Sequence, residues 1–287
     1  QRLASGLLAA GLKPLDRLGL WSPNYAEWIL VQYATAEIGV VLVNITPAYR
    51  THELVYALNQ SGCRFLIAAP SYLTSNYQAM VASVQDQTPV LERTVFFWSP
   101  EWEALIAGDA QYQASVEDLR GQLNPDDPIN IQYTSGTTGF PKGATLTHRN
   151  ILNNGYFVGE LQRLTEQDRM CIPVPFYHCF GMVMGNLACT SHGATMVIPS
   201  DGFDAARTLE AVSQERCTAL YGVPTMFIAE MAFEDFTKFD LSSLRTGVMA
   251  GAPCPVAVMK QCIERMHLRE VTICYGMTET SPVSTQT

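Results

Sequence analysis

The chain has 287 residues, of which 47% are hydrophobic and 16% charged, with a net charge of −9. This composition excludes a disordered chain, and the acidic balance without any basic run argues against nucleic-acid binding. The length suffices for one large domain or two ordinary ones. The first residues, Gln1 to Gly6, have a helical pattern and no initiating Met, so we expect the chain to start at a cut edge.

Short β-branched apolar runs alternate with longer helical patterns, which predicts an α/β fold on mostly parallel, doubly wound sheets. The predicted strands are Arg17–Trp21, Val40–Asn44, Arg64–Ala68, Arg93–Phe97, Ile129–Thr134, Arg169–Ile172, Ala194–Ile198, Ala219–Tyr221, Thr246–Ala250 and Val271–Tyr275. The predicted helices are Ala26–Ile38, His52–Gln60, Ser71–Val84, His148–Leu161, Asp204–Glu215, Thr225–Ala232 and Pro255–Met266. Segment 98–127 is the least regular, and a break at 165–168 predicts two lobes, 1–166 and 167–287.

One stretch, residues 170–200, contains no Asp, Glu, Lys or Arg and is long enough to suggest a membrane span. Because it contains Pro173, Pro175, His178 and several glycines, we expect a buried loop, helix and strand there and no transmembrane segment. The eight cysteines form no C-x-x-C pair, and several lie in apolar runs. This usage favours free, buried thiols in a reducing compartment over disulfides or a zinc site.

A segment rich in glycines and hydroxyl side chains, residues 134–143, directly follows a predicted strand. Glycine permits positive φ angles that turn successive backbone N–H groups inward, and such a nest holds phosphate oxygens. The segment matches neither the Walker A loop nor the dinucleotide-binding fingerprint. Its alternative interpretation is a flexible surface loop. The residues in question are Thr134, Ser135, Gly136, Thr137, Thr138, Gly139 and Lys142.

Two further segments end predicted strands, at 275–280 and 250–253. In the first, the Thr278 hydroxyl is followed directly by the Glu279 carboxylate. A carboxylate is a hard oxygen ligand, which Mg²⁺ binds together with phosphate oxygens. A helix-capping pair is the alternative. In the second, small residues let the backbone lie flat against a planar base, although a strand-to-turn transition explains them equally well.

An aromatic segment, residues 175–182, surrounds His178. A lone histidine in such a setting is either a satisfied core residue or a group that borders a ligand pocket. We assign it to substrate positioning and not to base catalysis.

These segments, in this order, resemble the signature motifs of the adenylate-forming superfamily, which includes acyl-CoA synthetases, firefly luciferase and peptide-synthetase adenylation domains. The resemblance spans the chain from about Leu3 and is closest to the medium-chain fatty acyl-CoA ligases. It implies the large N-terminal domain of an acyl-CoA synthetase, with the C-terminal domain absent. The family's ribose-binding Asp, hinge and C-terminal catalytic Lys would lie beyond Thr287. We therefore expect the isolated chain to bind nucleotide weakly and to turn over slowly or not at all.

The resemblance also implies a role for each motif. Lys142, Thr278 and Glu279 are the implied catalytic residues, with Thr278 at the α-phosphate and Glu279 as the Mg²⁺ ligand. Residues Thr134 to Gly139 hold phosphates. The implied adenine-site residues are Gly251, Ala252, Pro253, Tyr275 and Gly276. The implied acyl-pocket residues are His178, Gly181, Met182 and Val223.

The function that follows from the resemblance is ATP- and Mg²⁺-dependent activation of a fatty, medium-chain acid to its acyl-AMP, then thioester formation with coenzyme A. Apolar residues after His178 favour this hypothesis. An aryl- or amino-acid adenylation domain remains open, as does a nucleotide-binding module without the reaction. We expect a cytoplasmic protein, or a mitochondrial matrix protein in a eukaryote. The oligomeric state stays open, with a homodimer as one alternative.

Overall fold

The computed structural model describes residues 1–134 and 141–287. It divides into two compact units, Gln1–Arg149 and Asn150–Thr287. The division between the units lies near the start of the helix His148–Leu161. The predicted domain boundary, between residues 166 and 167, lies after the end of that helix, and it stays a prediction.

The first unit contains a six-stranded sheet and a two-stranded hairpin. Its strands are β1 Arg17–Trp21, β2 Val41–Ile45, β3 Phe65–Ala68, β4 Ser71–Tyr72, β5 Ser75–Asn76, β6 Arg93–Phe96, β7 Pro128–Thr134 and β8 Lys142–Thr147. Its helices are α1 Arg2–Ala9, α2 Ala26–Glu37, α3 Thr51–Ser61, α4 Tyr77–Val84, α5 Pro100–Ala107 and α6 Gln113–Arg120. The sheet order is β6-β3-β1-β2-β7-β8, and every pair is parallel except β7 with β8.

The second unit is built on another six-stranded sheet. Its strands are β9 Arg169–Cys171, β10 Thr195–Val197, β11 Ala219–Gly222, β12 Thr246–Met249, β13 Glu270–Gly276 and β14 Val283–Gln286. Its helices are α7 His148–Leu161, α8 Ala188–His192, α9 Ala205–Gln214, α10 Pro224–Met231 and α11 Val256–Met266, with a π-helix at Phe180–Leu187. The order is β10-β9-β11-β12-β13-β14, parallel except for the last pair.

The predicted α/β class is therefore confirmed in both units. Central strands such as β2, β3 and β11 are buried along their whole length, as expected for parallel strands covered on both faces. The stretch without charged residues forms a buried loop, the π-helix, α8 and β10, as expected. Within 1–134 and 141–287, no helix is both long and apolar enough to cross a membrane.

One predicted helix, Ser71–Val84, is wrong in its first part. Residues 71–76 form the hairpin of β4 and β5, and the helix begins only at Tyr77. The reason is the cap at Asn76, whose side-chain oxygen accepts a hydrogen bond from the Ala79 N–H at 2.9 Å.

The cysteine prediction is confirmed as far as burial is concerned. All eight thiols are free and every one is buried except Cys254, which is half-buried. Cys171, Cys217 and Cys262 lie in the apolar core of the second unit, among residues from β9, α9, α10 and α11.

A carboxyl group is also buried in the second unit. Glu230 on α10 has no exposed surface, and neither carboxyl oxygen has a hydrogen-bond partner among the described residues. Burial raises the pKa of Glu230 well above its ordinary value of 4.5, because the charged form loses its hydration.

Replacing Glu230 by Met should stabilise the protein by about 1–3 kcal/mol at neutral pH, since an unsatisfied buried polar group is removed. The folded-state pKa is raised, so the wild type loses stability as pH rises from the unfolded-state pKa, about 4.3, through the folded value. The gain of Glu230→Met should therefore grow with pH and be smallest in acid. Denaturant unfolding across this pH range measures it, with exposed Glu234→Met as the matched control. Equal effects of the two replacements would contradict the prediction.

Candidate functional site

The carboxyl ends of β11, β12 and β13 lie side by side, because the three strands are adjacent and parallel. Val223, the segment Ala250–Pro253 and the turn at Thr278 follow these strands directly. In addition, β10 lies on one side of β9, and β11, the next strand in the sequence, lies on the other side. The connections from β9 to β10 and from β10 to β11 therefore run in opposite directions, which makes the gap between β9 and β11 a topological switch point. Open α/β sheets bind ligands in the crevice at the carboxyl ends of such strands.

The ends of β11 and β12 touch through Val223 and Gly251. Gly251 has a φ of +81°, and a Cβ added there would lie 3.1 Å from Val223 Cγ1. Glycine adopts this left-handed conformation without strain. Gly251, Ala252 and Pro253 are all exposed, so this turn presents backbone to any ligand at the sheet edge.

The turn after β13 is held by its own backbone and by Thr280. A Cβ on Gly276 would overlap the carbonyl oxygen of Pro282, which requires glycine at this position. The Thr280 hydroxyl lies 2.9 Å from the Met277 carbonyl and 2.6 Å from that of Pro282, and it accepts from the Met277 N–H at 3.1 Å. These bonds fix the short 3₁₀ turn Thr278–Thr280, in which Glu279 is exposed.

The strand after this turn is fastened to α7. Asn154 donates to the carbonyl of Val283 at 2.9 Å and accepts from its N–H at 3.1 Å. Before the turn, Tyr275 is 67% exposed on β13, which leaves its ring free to lie against a planar ligand.

His178 follows β9 and is neutral. Its Nδ1 accepts a hydrogen bond from the Phe180 N–H at 3.1 Å, so the ring proton resides on Nε2. Protein atoms surround most of the ring and lower the pKa of His178 by desolvation, yet the side chain remains accessible to solvent. A neutral Nε2–H donor is thus available to a ligand.

Cys179 joins the β9 loop to the β13 turn. Its Sγ lies 3.7 Å from Thr278 Oγ1 and 3.9 Å from His178 Nδ1. Both Cys179 and Thr278 are buried. Burial raises the pKa of the Cys179 thiol to about 11, so it stays protonated at neutral pH.

The π-helix follows directly, and all eight of its residues are buried. The hydroxyl of buried Tyr221, on β11, donates to the Met184 carbonyl at 2.9 Å and accepts from Gln162 Nε2 at 2.6 Å. A Cβ on Gly181 would overlap the Pro175 carbonyl oxygen, so this helix begins in close contact with the preceding loop. π-helical segments are rare and occur frequently at functional sites.

In the first unit, Thr134 and Lys142 are paired across the antiparallel strands β7 and β8. The Thr134 hydroxyl lies 3.4 Å from the Lys142 carbonyl oxygen, and Lys142 is exposed. The predicted phosphate-loop residues Ser135, Gly136, Thr137, Thr138 and Gly139 lie outside the described residues.

The residues present fit Mg²⁺ bound jointly with a ligand. Within the described ranges there is no cluster of three or more His, Cys, Asp or Glu with metal-binding geometry. Mg²⁺ is usually held by one or two carboxylates together with substrate phosphates and water, not by a cage of protein ligands. The exposed Glu279 carboxylate is compatible with that mode.

This fold and this set of strand ends define an α/β protein with a candidate ligand site at the carboxyl edge of its second sheet. The family model "AMP-binding enzyme" matches residues 1–287. The chain belongs to the AMP-binding enzyme family, as predicted, and is homologous over its length to acyl-CoA synthetases.

Among its relatives, it is 46% identical to the Bacillus subtilis protein named "Putative acyl-CoA synthetase YngI", over 100% of this chain and 56% of that protein. It is 41% identical to the mitochondrial medium-chain acyl-CoA ligase ACSF2 of Danio rerio, over 99% of this chain and 50% of that protein. The chain thus spans about half the length of these curated relatives.

A solved structure has the same fold. The N-terminal domain of FACL13 from Mycobacterium tuberculosis superimposes with a TM-score of 0.85 at 24% identity, over 99% of this chain and 68% of that one.

Within the second unit, the structure brings several predicted site residues together. Val223 contacts Gly251, and His178 is linked to Thr278 through Cys179. Met182 is fully buried in the π-helix. Their functional roles stay predictions. Sequence reasoning missed Cys179 and Thr280. Both lie inside the predicted motifs, but only the fold reveals their partners.

Proposed function

We propose that this chain forms the nucleotide- and acyl-binding part of an AMP-forming acid–thiol ligase that acts on a fatty, medium-chain carboxylic acid. Family membership and the similarity to ACSF2, named a medium-chain acyl-CoA ligase, support this proposal. The single structural observation in its favour is the contact between the His178–Cys179 loop and Thr278 at one sheet edge.

In this proposal, each motif takes the role that the resemblance implies. Tyr275, Gly276 and the Gly251–Pro253 turn bind adenine, while Thr278 donates to the α-phosphate. His178, Gly181, Met182 and Val223 border the acyl group. In the first unit, Thr134 to Gly139 and Lys142 bind phosphates.

The proposed first step is in-line attack of the substrate carboxylate oxygen on the α-phosphorus of ATP. The new P–O bond forms as the bond to pyrophosphate breaks, and pyrophosphate leaves with its electron pair. A carboxylate is a competent nucleophile at neutral pH, so no general base is needed. The protein's task is to position two anions and stabilise the charge on the phosphates. Mg²⁺ held by Glu279 would neutralise part of that charge.

In the proposed second step the coenzyme A sulfur attacks the acyl carbon. The C–S bond forms as the acyl C–O bond to AMP breaks, AMP leaves with that electron pair, and the thiol proton is released to solvent. Neutral His178 suits positioning of the acyl group, since its Nε2–H is a donor and not a base. The free, buried thiols support a cytoplasmic or mitochondrial matrix location.

The test is thermal unfolding of the chain with non-hydrolysable acyl-AMP mimics that bear short, medium, long or aromatic acyl groups. A ligand at 100 times its Kd should stabilise the chain by about 2.7 kcal/mol. We expect the largest stabilisation with the medium-chain mimic. A maximum with the aromatic mimic would indicate that the substrate is an aryl acid and not a fatty acid. No stabilisation by any mimic would contradict the proposed site.

A further inference from the structure

We propose that Cys179 is a positioning residue that orients the Thr278 hydroxyl toward the nucleotide's α-phosphate, an inference that rests on the proposed function. The Cys179 Sγ lies 3.7 Å from Thr278 Oγ1, within range for a hydrogen bond to sulfur, although the two residues are 99 positions apart. Among the described residues, Cys179 provides the hydrogen-bond contact of this hydroxyl.

The direction of this hydrogen bond follows from the neighbouring groups. The Nδ1 atom of His178, 3.9 Å from Sγ, already accepts the Phe180 N–H at 3.1 Å. An imidazole nitrogen has one in-plane lone pair, so it is not a good acceptor for the thiol proton. Among the described contacts of Sγ the remaining acceptor is the Thr278 oxygen, and we infer that the thiol donates to it.

This direction determines what Thr278 can do. A hydroxyl has one proton to donate and lone pairs to accept with. When Thr278 Oγ1 accepts from Cys179, its own proton points elsewhere and is available to a phosphate oxygen. A reversed bond, with Thr278 donating to sulfur, would use up the proton that the phosphate needs.

The burial of the pair strengthens the effect. Cys179 is 1% exposed and Thr278 is 7% exposed, so water does not compete for their hydrogen bonds.

The experiment compares the affinities of AMP and adenosine, measured by calorimetry on the chain and its variants. Only AMP has the α-phosphate. Cys179→Ala should weaken AMP binding by roughly three- to tenfold, the effect of one hydrogen bond, and leave adenosine binding unchanged. Cys179→Ser, which keeps a donor, should restore AMP binding toward the wild-type value.

Two further variants distinguish positioning from packing. In a Thr278→Val background, Cys179→Ala should have no additional effect on AMP binding, because the contact is already lost. Cys189→Ala is the matched control: Cys189 is also fully buried, but its contact is Met170 Sδ at 3.6 Å. This control should leave the ratio of the two affinities unchanged.

Equal weakening of AMP and adenosine by Cys179→Ala, or additive effects with Thr278→Val, would overturn the inference and indicate packing alone. If Cys179→Ala does not fold, Cys179→Val, which keeps the approximate size of the side chain and removes the donor, gives the same coupling with and without Thr278→Val, and additivity again overturns it. Failure of the wild-type chain to bind AMP would instead overturn the proposed function, together with this inference.

Discussion

Glu279→Gln is expected to weaken Mg²⁺-dependent ATP binding by roughly 10- to 100-fold, about 1.4–2.8 kcal/mol. Glutamine keeps the size and one oxygen of the side chain but removes its charge, so the proposed Mg²⁺ site loses its carboxylate. The exposed Glu279 lies in a turn fixed by Thr280, and it has no ion pair within residues 1–134 and 141–287. The replacement should therefore leave the fold intact.

The measurement is calorimetric titration with ATP in excess Mg²⁺ and again with a chelator. In the wild type, Mg²⁺ should strengthen ATP binding, and in Glu279→Gln most of that gain should be lost. Glu264→Gln is the matched control, because Glu264 is an exposed carboxylate on α11 of the same unit. An unchanged response of Glu279→Gln to Mg²⁺ would remove Glu279 from the metal site and leave the rest of the proposal intact.

The sequence predicted the parallel strands well because their local pattern is decisive. Strands such as β2 and β11 are buried on both faces and therefore consist mainly of apolar residues. It did not predict β8 or β14, whose residues are exposed or half-buried except for Leu146. β8 pairs antiparallel with β7, and β14 pairs antiparallel with β13. Each forms through its pairing with a neighbouring strand, which is a tertiary effect and not a local sequence preference.

Helix α5 was missed for a different reason, since its signals were present in the sequence. Ser99 caps the helix by accepting from the Trp102 N–H at 3.2 Å, and Pro100 occupies the first turn. Because glycines and turn residues lie nearby, segment 98–127 was interpreted as irregular structure.

The candidate site was predictable as motifs but not as contacts. Glycine, hydroxyl and carboxylate residues at the predicted strand ends are sufficient to locate the sheet edge. The link from Cys179 to Thr278 depends on the strand order, which places the β9 loop near the β13 turn. No local pattern encodes that order.

The opposite edge of the same sheet contains a buried carboxylate paired with an arginine, and we expect it to be sensitive to substitution. At the amino ends of its strands, Asp168 is 4% exposed and accepts hydrogen bonds from Thr218 Oγ1 at 2.7 Å and Arg245 Nη2 at 2.8 Å. It also accepts from the Thr165 N–H at 2.9 Å. Burial alone would raise the pKa of Asp168, but the hydrogen bonds from Arg245, Thr218 and Thr165 outweigh it and hold the pKa below the ordinary value.

Arg245→Met should destabilise the protein by about 2–4 kcal/mol at neutral pH. The replacement leaves a buried carboxylate without its cation, and the figure is reduced because the arginine side chain is 33% exposed. Arg245 also forms an ion pair with Glu270 at 3.1 Å. It donates to the carbonyl oxygens of Gln162 at 3.1 Å and Arg163 at 2.9 Å, so the segment that follows α7 loses these two bonds to the sheet edge.

The pH dependence identifies the cause. Because the folded-state pKa of Asp168 is lowered, its ion pair stabilises the protein above the unfolded-state pKa, about 3.9, and this stability is lost as pH falls through the folded value. The difference between wild type and Arg245→Met should therefore be full at pH 7 and diminish below pH about 3.9. Denaturant unfolding at both pH values measures it, with Arg216→Met as the control, since that arginine is 68% exposed and 3.7 Å from Asp240. A loss that persists unchanged in acid would mean that Arg245 acts through the carbonyl oxygens and not through its two carboxylate partners, Asp168 and Glu270.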